Sequence, residues 1–281
     1  MLQRRRDPND LPCSPVLRWI PATYREYAPT AATATAIECL WTSLSHEAQR
    51  VSVFPDGCVD LMLRGHVTTA GQIEGMTLEI VGAMTSARAV QVAPGTLHVG
   101  VRFRPGYARR LFAMPLHEIT DRQVPLAAAW GARADVVAKL FCAAEHPDAL
   151  ALLLTTLTER ALHEHDAMQC ALDCFVASQG TLPLEALHDT AGRGERQFRR
   201  MCLERTGLAP KRLGQILRVR RVTELLQSSP YVPLSALAQT MGYADQAHMT
   251  REVRMLTGQT PGVLQPAGDD RFLQDVRGPA S

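Results

Sequence analysis

The spacing of apolar residues divides the chain into two halves of different character. Between about residues 50 and 104 apolar and polar residues alternate, as expected for strands with one buried face. In TLHVGVRF at 96–103, one face carries Leu97, Val99, Val101 and Phe103. From about residue 107 apolar residues recur every three or four positions, which is typical of amphipathic helices. The pattern predicts an α+β fold, with a β-barrel or sandwich-like first half and an all-α C-terminal region.

Turn residues separate the strands of the first half at short intervals. The segment VSVFPDGCVDLMLR at 51–64 predicts a hairpin in which Asp56 and Gly57 form the turn. The strands LEIVGAM, ARAVQVAPG and TLHVGVRFRPG follow, separated by Gly, Pro, Ser and Thr. Farther along, amphipathic runs at 133–144 and 147–163 predict a helical connector over residues 133–164.

Near the C-terminus one segment occurs twice. Residues 183–192 read PLEALHDTAG and residues 233–242 read PLSALAQTMG, with six identical residues at an offset of 50. In each copy a glycine ends the first helix, and a later glycine and proline end the second helix. Two copies of so short a helical unit predict a tandem pair of helix-turn-helix elements, which place their second helix in the major groove of DNA.

The second helix of each copy carries polar residues that can read base edges. Phe198 and Cys202 in the first copy, and Met249 and Val253 in the second, are spaced to be buried. The exposed stripes consist of Arg196, Arg199 and Arg200 in the first copy and of Gln246, Ala247, Thr250 and Arg251 in the second. Arginine binds guanine, glutamine binds adenine, and an Ala or Thr methyl contacts thymine. A solvated charged face is the alternative for one copy alone, but a stripe in both copies favours base reading.

Three segments of the second half match a known DNA-binding module. They read AGRGERQFRRMCLERTGLAPKRL, RVRRVTELL and LAQTMGYADQAHMTREVRMLTGQTP. On these segments, residues 165–265 resemble the C-terminal domain of AraC/XylS-type transcription regulators, although Gly194 replaces the usual Ser or Thr cap. The resemblance implies that a long helix joins the two units and that the two stripes read bases. On and before that linking helix we expect phosphate contacts from Arg212, Arg218, Arg220 and Arg221.

The first half resembles a poorly characterised domain that precedes AraC-type modules in some regulators. The matching segments are FPDGCVDLML at 54–63, VGVRFRPGYARRLF at 99–112 and EITDRQVPL at 118–126. The resemblance covers most of residues 15–130 and implies a β-rich domain that senses an effector or dimerises. Because binding sites in barrels are mostly apolar, we expect a pocket lined by Phe54, Leu61, Val101 and Phe103, with His98 and Arg102 at most near its mouth.

Composition adds a charge asymmetry and argues against secretion. The net charge is +2, but residues 181–265 contain 12 basic and 7 acidic side chains. The seven cysteines are scattered and form no C-x-x-C pair, which fits a reducing cytosol. The N-terminal MLQRRRDPND has no apolar stretch behind its arginines, and ALALLLTTLT at 149–158 is too short to span a bilayer. These features predict a soluble, cytoplasmic protein that does not bind membranes.

No pattern of residues indicates catalysis, a metal site or a cofactor. The His-x-His of metal-binding cupin strands is missing, and His163 and His165 fall in a helical stretch. Cys58 near two aspartates and His98 could be drawn as a nucleophile with a base, but a small core residue beside a turn is the favoured interpretation. Arg102, Arg104, Arg109 and Arg110 could bind an anion or form the polar face of a strand and helix.

These observations predict a sequence-specific, DNA-binding transcription regulator that responds to a small molecule through its first domain. Its expected partners are double-stranded DNA, an effector, RNA polymerase if it activates, and a second copy of the chain. The alternatives are a DNA-modifying or alkyl-accepting enzyme with the same DNA reader, or a regulator whose first domain only dimerises. The predicted divisions are 1–132 (β-rich domain), 133–164 (connector), 165–265 (DNA-binding domain) and 266–281 (tail).

Overall fold

The computed structural model describes residues 24–29, 31, 33–69, 73–112, 114–131, 134–137, 166–228 and 232–265. Within them the first half contains eight strands: β1 Arg25–Tyr27, β2 Ile37–Leu44, β3 Gln49–Val53, β4 Val59–Val67, β5 Ile73–Val81, β6 Arg88–Val92, β7 Thr96–Phe103 and β8 Gln123–Pro125. Six form an antiparallel sheet in the order β1-β2-β7-β4-β5-β8, and β3 and β6 form a separate two-stranded sheet. The prediction of a β-rich first half is confirmed.

Strand β7 lies inside the six-stranded sheet and pairs with β2 on one side and β4 on the other. Its predicted apolar face is confirmed, because Leu97, Val99, Val101 and Phe103 are at most 2% exposed. Leu61 of β4 lies opposite Val101 and is also fully buried. This apolar face of the sheet therefore belongs to the packed core.

Short helices adjoin the end of β7. Helix α1 spans Ala108–Phe112, a 3-10 helix spans Leu116–Ile119, and helix α2 spans Leu126–Trp130. The Phe112 ring meets the Phe103 ring edge-on at a centroid distance of 6.1 Å, a favoured geometry for aromatic pairs. The Trp130 indole N–H donates to the Leu111 carbonyl at 2.9 Å, which ties the two helices together.

The hairpin predicted over residues 51–64 is wrong, although its turn is present. Strand β3 pairs with β6, while β4 pairs with β5 and β7. Gly57 has a φ of 83°, and the Asp56 carboxylate accepts the Cys58 N–H at 2.9 Å, so the turn forms as expected. Just before it, Pro55 cannot donate a ladder hydrogen bond, and here the chain passes from one sheet to the other.

The described part of the second half contains seven helices: α3 Ala167–Ala177, α4 Leu184–Ala191, α5 Glu195–Thr206, α6 Pro210–Ser228, α7 Leu234–Thr240, α8 Gln246–Thr257 and α9 Pro261–Leu264. Helices α4 and α5 form one helix-turn-helix unit, and α7 and α8 form the other. The 19-residue helix α6 links them. The all-α second half with two such units is confirmed.

The second helices of the two units have the same length because a glycine ends each of them at the same position. Helices α5 and α8 each have 12 residues. They end at Gly207 and Gly258, whose φ values of 78° and 75° lie in the left-handed region that glycine adopts without strain. Pro210 and Pro261 are the first residues of α6 and α9, where the missing proline N–H has no helical partner to lose.

Helices and sheet share one continuous cluster of buried apolar side chains. Phe103 of β7, Phe175 of α3 and Leu213 of α6 all belong to it. Polar contacts reinforce the packing, since the Gln169 amide of α3 donates to the Pro105 carbonyl at 3.1 Å. The two halves are therefore packed against each other.

The predicted connector at 133–164 lies outside the described residues except for 134–137, and the predicted tail at 266–281 lies outside them entirely. His163 and His165 also lie outside them. The domain boundaries remain predictions.

Candidate nucleic-acid interface

Helix α5, the second helix of the first unit, buries one face and exposes the other. Phe198 and Cys202 are 0% exposed, as their spacing predicts. The Phe198 ring meets the ring of His188 on α4 at a centroid distance of 5.0 Å, so the two helices contact each other through aromatic rings. The predicted base-reading residues lie on the exposed face: Arg196, Arg199 and Arg200.

Helix α8 repeats this arrangement in the second unit. Met249 and Val253 are 0% exposed. The predicted stripe is at the surface, with Gln246, Ala247 and Arg251 exposed and Thr250 half-buried. Both second helices therefore present donors and methyl groups of the kinds that recognise base edges.

The two second helices differ at their first turn. The Asp245 carboxylate accepts the His248 N–H at 2.6 Å and caps α8. Gly194, the corresponding residue before α5, has no side chain to do so. A capping side chain satisfies one of the free N–H groups at a helix start, so α8 has a stabilising contact that α5 lacks.

The four arginines expected to contact phosphate have different surroundings. Arg212 donates to Gln215 at 3.3 Å and Arg221 to Glu224 at 3.2 Å, both within α6. Their roles as phosphate ligands remain predictions. Arg218 donates to the buried Glu252 carboxylate at 3.1 Å.

Arg218 and Arg220 do not fit the prediction in this arrangement, because both guanidinium groups already bind carboxylates within the chain. Arg218 also donates to the Gly180 carbonyl at 2.9 Å and lies 5.6 Å from the centre of the Tyr243 ring. It therefore joins α8 to the loop before α4. Arg220 contacts a residue of the first half of the chain.

Arg220 forms a bidentate ion pair with Glu38 of β2. Burial alone would raise the pKa of Glu38, but the hydrogen bonds and charge of Arg220 outweigh burial and hold that pKa at about 2. The Cys58 thiol also donates to Glu38, at 3.0 Å. No local sequence pattern points to Glu38, because the pair joins residues 182 positions apart.

Further hydrogen bonds hold the helical half against the sheet. The Thr120 hydroxyl donates to the Gly207 carbonyl at 2.6 Å, and the Ala87 N–H donates to the Leu256 carbonyl at 2.8 Å. These contacts reach the C-terminal ends of α5 and α8. Helices α5 and α8, the recognition helices of the predicted DNA-binding units, thus contact the first half through their last turns.

The residues expected to line a ligand pocket divide among three locations. Leu61, Val101 and Phe103 are 0% exposed and lie in the packed core, so the prediction that they bound a pocket is wrong. The apolar face of the sheet meets core residues rather than an open space. His98 and Arg102, expected at most near the mouth, instead line a cavity on the opposite face.

This cavity, of about 200 Å³, lies between the two sheets. Trp41 of β2 lies over Gly100 of β7, where an added Cβ would come within 2.2 Å of the indole. A glycine inside a strand marks close approach of another group, and this is the sequence signal that could have identified Trp41. Apolar side chains from both sheets and from the loop after β5 line the cavity: Val51, Val53, Met62, Val81, Met84, Val90 and Val92.

One end of the cavity is charged. The Arg102 Nε lies 3.1 Å from an Asp56 oxygen and 3.3 Å from an Asp60 oxygen. The Trp41 indole N–H donates to Asp60 at 3.0 Å. Burial raises the pKa of Asp60 to about 6, Arg102 opposes that shift, and the nearby Asp56 charge adds to it.

A second cavity, of about 300 Å³, lies between this charged end and α6. Phe54, expected in the ligand pocket, lines this interdomain cleft. Asp56 and Arg102 line both cavities. Arg220 lines the far side of the cleft, so the cleft adjoins the ion pair that joins the halves.

Cys58 has the surroundings of a structural thiol. It is buried, and burial raises its pKa well above the usual value, with the charges of Glu38 and Asp56 adding to the shift. A thiol with a raised pKa is a poor nucleophile at neutral pH. Over the part of the chain that the structure describes, no group of three or more His, Cys, Asp or Glu side chains is arranged to hold a metal ion. Across the same residues, no helix combines the length and apolar character needed to cross a membrane.

Two helix-turn-helix units with exposed polar stripes define a DNA-binding protein. Residues 187–266 match the family model described as a helix-turn-helix domain, and residues 25–125 match a domain of unknown function, DUF6597. The C-terminal region is an AraC-type double helix-turn-helix domain, and a DUF6597 domain precedes it. The predicted resemblance is confirmed in both halves.

Two solved structures are similar to this chain at low identity. The C-terminal domain of AraT, a response regulator from Geobacillus stearothermophilus, is 20% identical, with 38% of this chain and 94% of that chain covered and a TM-score of 0.34. ToxT from Vibrio cholerae is 9% identical, with 87% and 99% covered and a TM-score of 0.42. A search of curated proteins finds no match.

Proposed function

We propose that this protein is a sequence-specific transcription regulator without catalytic activity, acting on promoter DNA in the cytoplasm. The observation that carries the proposal is the pair of matched helices, α5 and α8, with exposed residues suited to base edges. The two helices would enter successive segments of the major groove, about one turn (roughly 34 Å) apart. RNA polymerase would be a partner only if the protein activates, and a second copy would bind if the operator is repeated.

The experiment titrates the full chain against its own promoter at two salt concentrations, and fluorescence anisotropy measures the binding. Arg200→Ala and Arg251→Ala should each weaken binding to the promoter. Arg50→Ala, which removes an exposed arginine from β3, is the matched control and should leave affinity unchanged. Affinity that does not fall with rising salt would contradict the proposal, because neutralising phosphates makes DNA binding salt-dependent.

The finer part of the proposal is that the first half senses a small molecule and controls the DNA-binding helices. Support comes from the cavity between the sheets and from the contacts that lead away from it. Arg102 binds Asp56, and Asp56 accepts the N–H of Cys58. Cys58 in turn donates to Glu38, which binds Arg220 of α6. A ligand that displaced Arg102 or Asp56 would therefore alter the position of α6 between the two units.

A first half that only dimerises is the competing function. A thermal-shift screen of the full chain against metabolites separates the two, because a ligand that binds only the folded state raises its apparent stability. Sensing predicts at least one compound that raises Tm in proportion to the logarithm of its concentration. Dimerisation alone predicts a Tm that depends on protein concentration and on no metabolite.

A further inference from the structure

The cavity between the sheets is shaped for a small, largely apolar body. Its floor is the Trp41 indole, which rests on Gly100, and the Tyr24 ring stacks on Trp41 at a centroid distance of 6.2 Å. Its volume of about 200 Å³ is below the roughly 300–1,000 Å³ of sites for drug-sized ligands. Val90 at the rim is 39% exposed, so an apolar side chain faces solvent beside the opening.

The charged end of the cavity has more carboxylates than cations. Arg102 faces Asp56 and Asp60 at 3.1 and 3.3 Å, and Glu26 at 3.8 Å. Asp56 and Asp60 line the cavity, whereas Glu26 approaches Arg102 from the interdomain cleft. The other arginine that lines the cavity is Arg88. Its guanidinium donates to the Asp121 backbone carbonyl, away from the charged end. Two carboxylates of the cavity thus face one guanidinium at this end, so an additional cation would complement its charge.

The histidine of the cavity wall adds no positive charge. Burial, with a smaller effect from Arg64, lowers the pKa of His98 to about 4. His98 is therefore neutral at physiological pH and can donate or accept one hydrogen bond. An anionic ligand would meet the carboxylates of Asp56 and Asp60 and would have to compete with them for Arg102, so its charge would not complement that of the cavity.

Aromatic rings beside carboxylates are the features that bind organic cations, because the ring face attracts a positive charge. We propose that the cavity between the sheets is a site for a small organic cation with an aromatic or apolar body and a protonated amine. The body would lie on Trp41 between the valines of the two-stranded sheet. The ammonium would lie at Asp56 and Asp60. This inference rests on the sensing function proposed above and names the chemical class of its ligand.

The test compares three probes of one shape by calorimetric titration of the full chain: 2-phenylethylamine, 2-phenylethanol and phenylacetate. The amine should bind, the alcohol about tenfold more weakly or worse because it lacks the charge-assisted hydrogen bond, and the acid not at all. Phenylacetate binding as tightly as the amine would overturn the proposal. So would the absence of binding by all three probes at millimolar concentration.

Variants tie the affinity to the cavity. Asp60→Asn keeps the shape of the side chain, removes its charge, and should reduce the preference for the amine over the alcohol. Glu74→Gln is the control, since it removes an exposed carboxylate of the same sheet outside the cavity. If Asp60→Asn fails to fold, Val90→Phe at the rim of the cavity should weaken the binding of the amine and of the alcohol by a similar factor. Amine affinity that no cavity variant changes would overturn the assignment.

A parallel measurement separates this inference from the sensing function. Promoter affinity is measured by anisotropy with and without saturating 2-phenylethylamine. Binding of the amine with unchanged promoter affinity would leave the cation site standing and contradict sensing. Promoter affinity that responds to phenylacetate and not to the amine would leave sensing standing and overturn the cation site.

Discussion

Arg251 lies on the exposed face of α8. If it donates to a guanine edge, Arg251→Ala should weaken promoter binding by about 1–3 kcal/mol and relax the preference at a single base pair. Binding to a set of promoters with one substituted base each measures this. Arg254→Ala, at an exposed arginine one turn further on, is the control. Equal losses on every sequence would mean that Arg251 contacts phosphate.

His98 gives the first half a dependence on pH. Its pKa in the folded state is about 4, against 6.5 for free histidine, because burial disfavours the charged form. As pH falls from 6.5 towards 4, the unfolded chain takes up a proton that the folded chain does not, so folding is weakened. His98→Gln should lose less stability than the parent between pH 7 and pH 5, as measured by urea unfolding. His46→Gln, at an exposed histidine, should behave like the parent.

The two recognition helices begin differently, and their stabilities should reflect it. Asp245→Ala removes the cap of α8 and should cost about 1 kcal/mol. Gly194→Ser adds a cap to α5, with no atom within 4 Å of the new Cβ, and should gain only a few tenths of a kcal/mol, because glycine is itself tolerated there. Thermal unfolding of the two variants beside the parent measures both effects. A loss of stability in Gly194→Ser would show that α5 cannot accept the hydroxyl.

The sequence predicted those parts of the fold that depend on neighbouring residues. The bounds of α5 and α8 follow from Gly207, Gly258 and the acidic starts, all within one turn of the helix ends they define. The buried face of β7 follows from alternation within a single strand. Strand pairing is not local, and so the partner of β3 was assigned wrongly. The cavity depends on the pairing of β3 with β6. Its floor depends on the contact of Trp41 with Gly100, which lies on another strand.

The ion pair between Glu38 and Arg220 joins the two halves of the molecule, and its strength can be measured directly. A double-mutant cycle with Glu38→Gln and Arg220→Gln should give a coupling energy of about 1–3 kcal/mol in urea unfolding. A cycle between Arg221 and Glu224, a half-exposed pair within α6, is the control and should give a coupling energy of only about a few tenths of a kcal/mol. In the sequence-based prediction, Arg220 contacts phosphate instead, and its replacement lowers the salt slope of DNA binding by about one. A coupling near zero together with that lower slope would favour the phosphate contact.

The two-stranded sheet has a consequence for engineering. Strands β3 and β6 pair only with each other among the described strands, so substitutions on their cavity side leave the ladder of the larger sheet intact. Gln49, Val51, Val90 and Val92 all face the cavity from this small sheet and belong to neither recognition helix. A library confined to these four positions would sample new chemical preferences in a reporter strain while keeping one operator. Under the sensing function proposed above, the small sheet would be a replaceable cover of the cavity, and its variants would provide biosensors that share a single promoter.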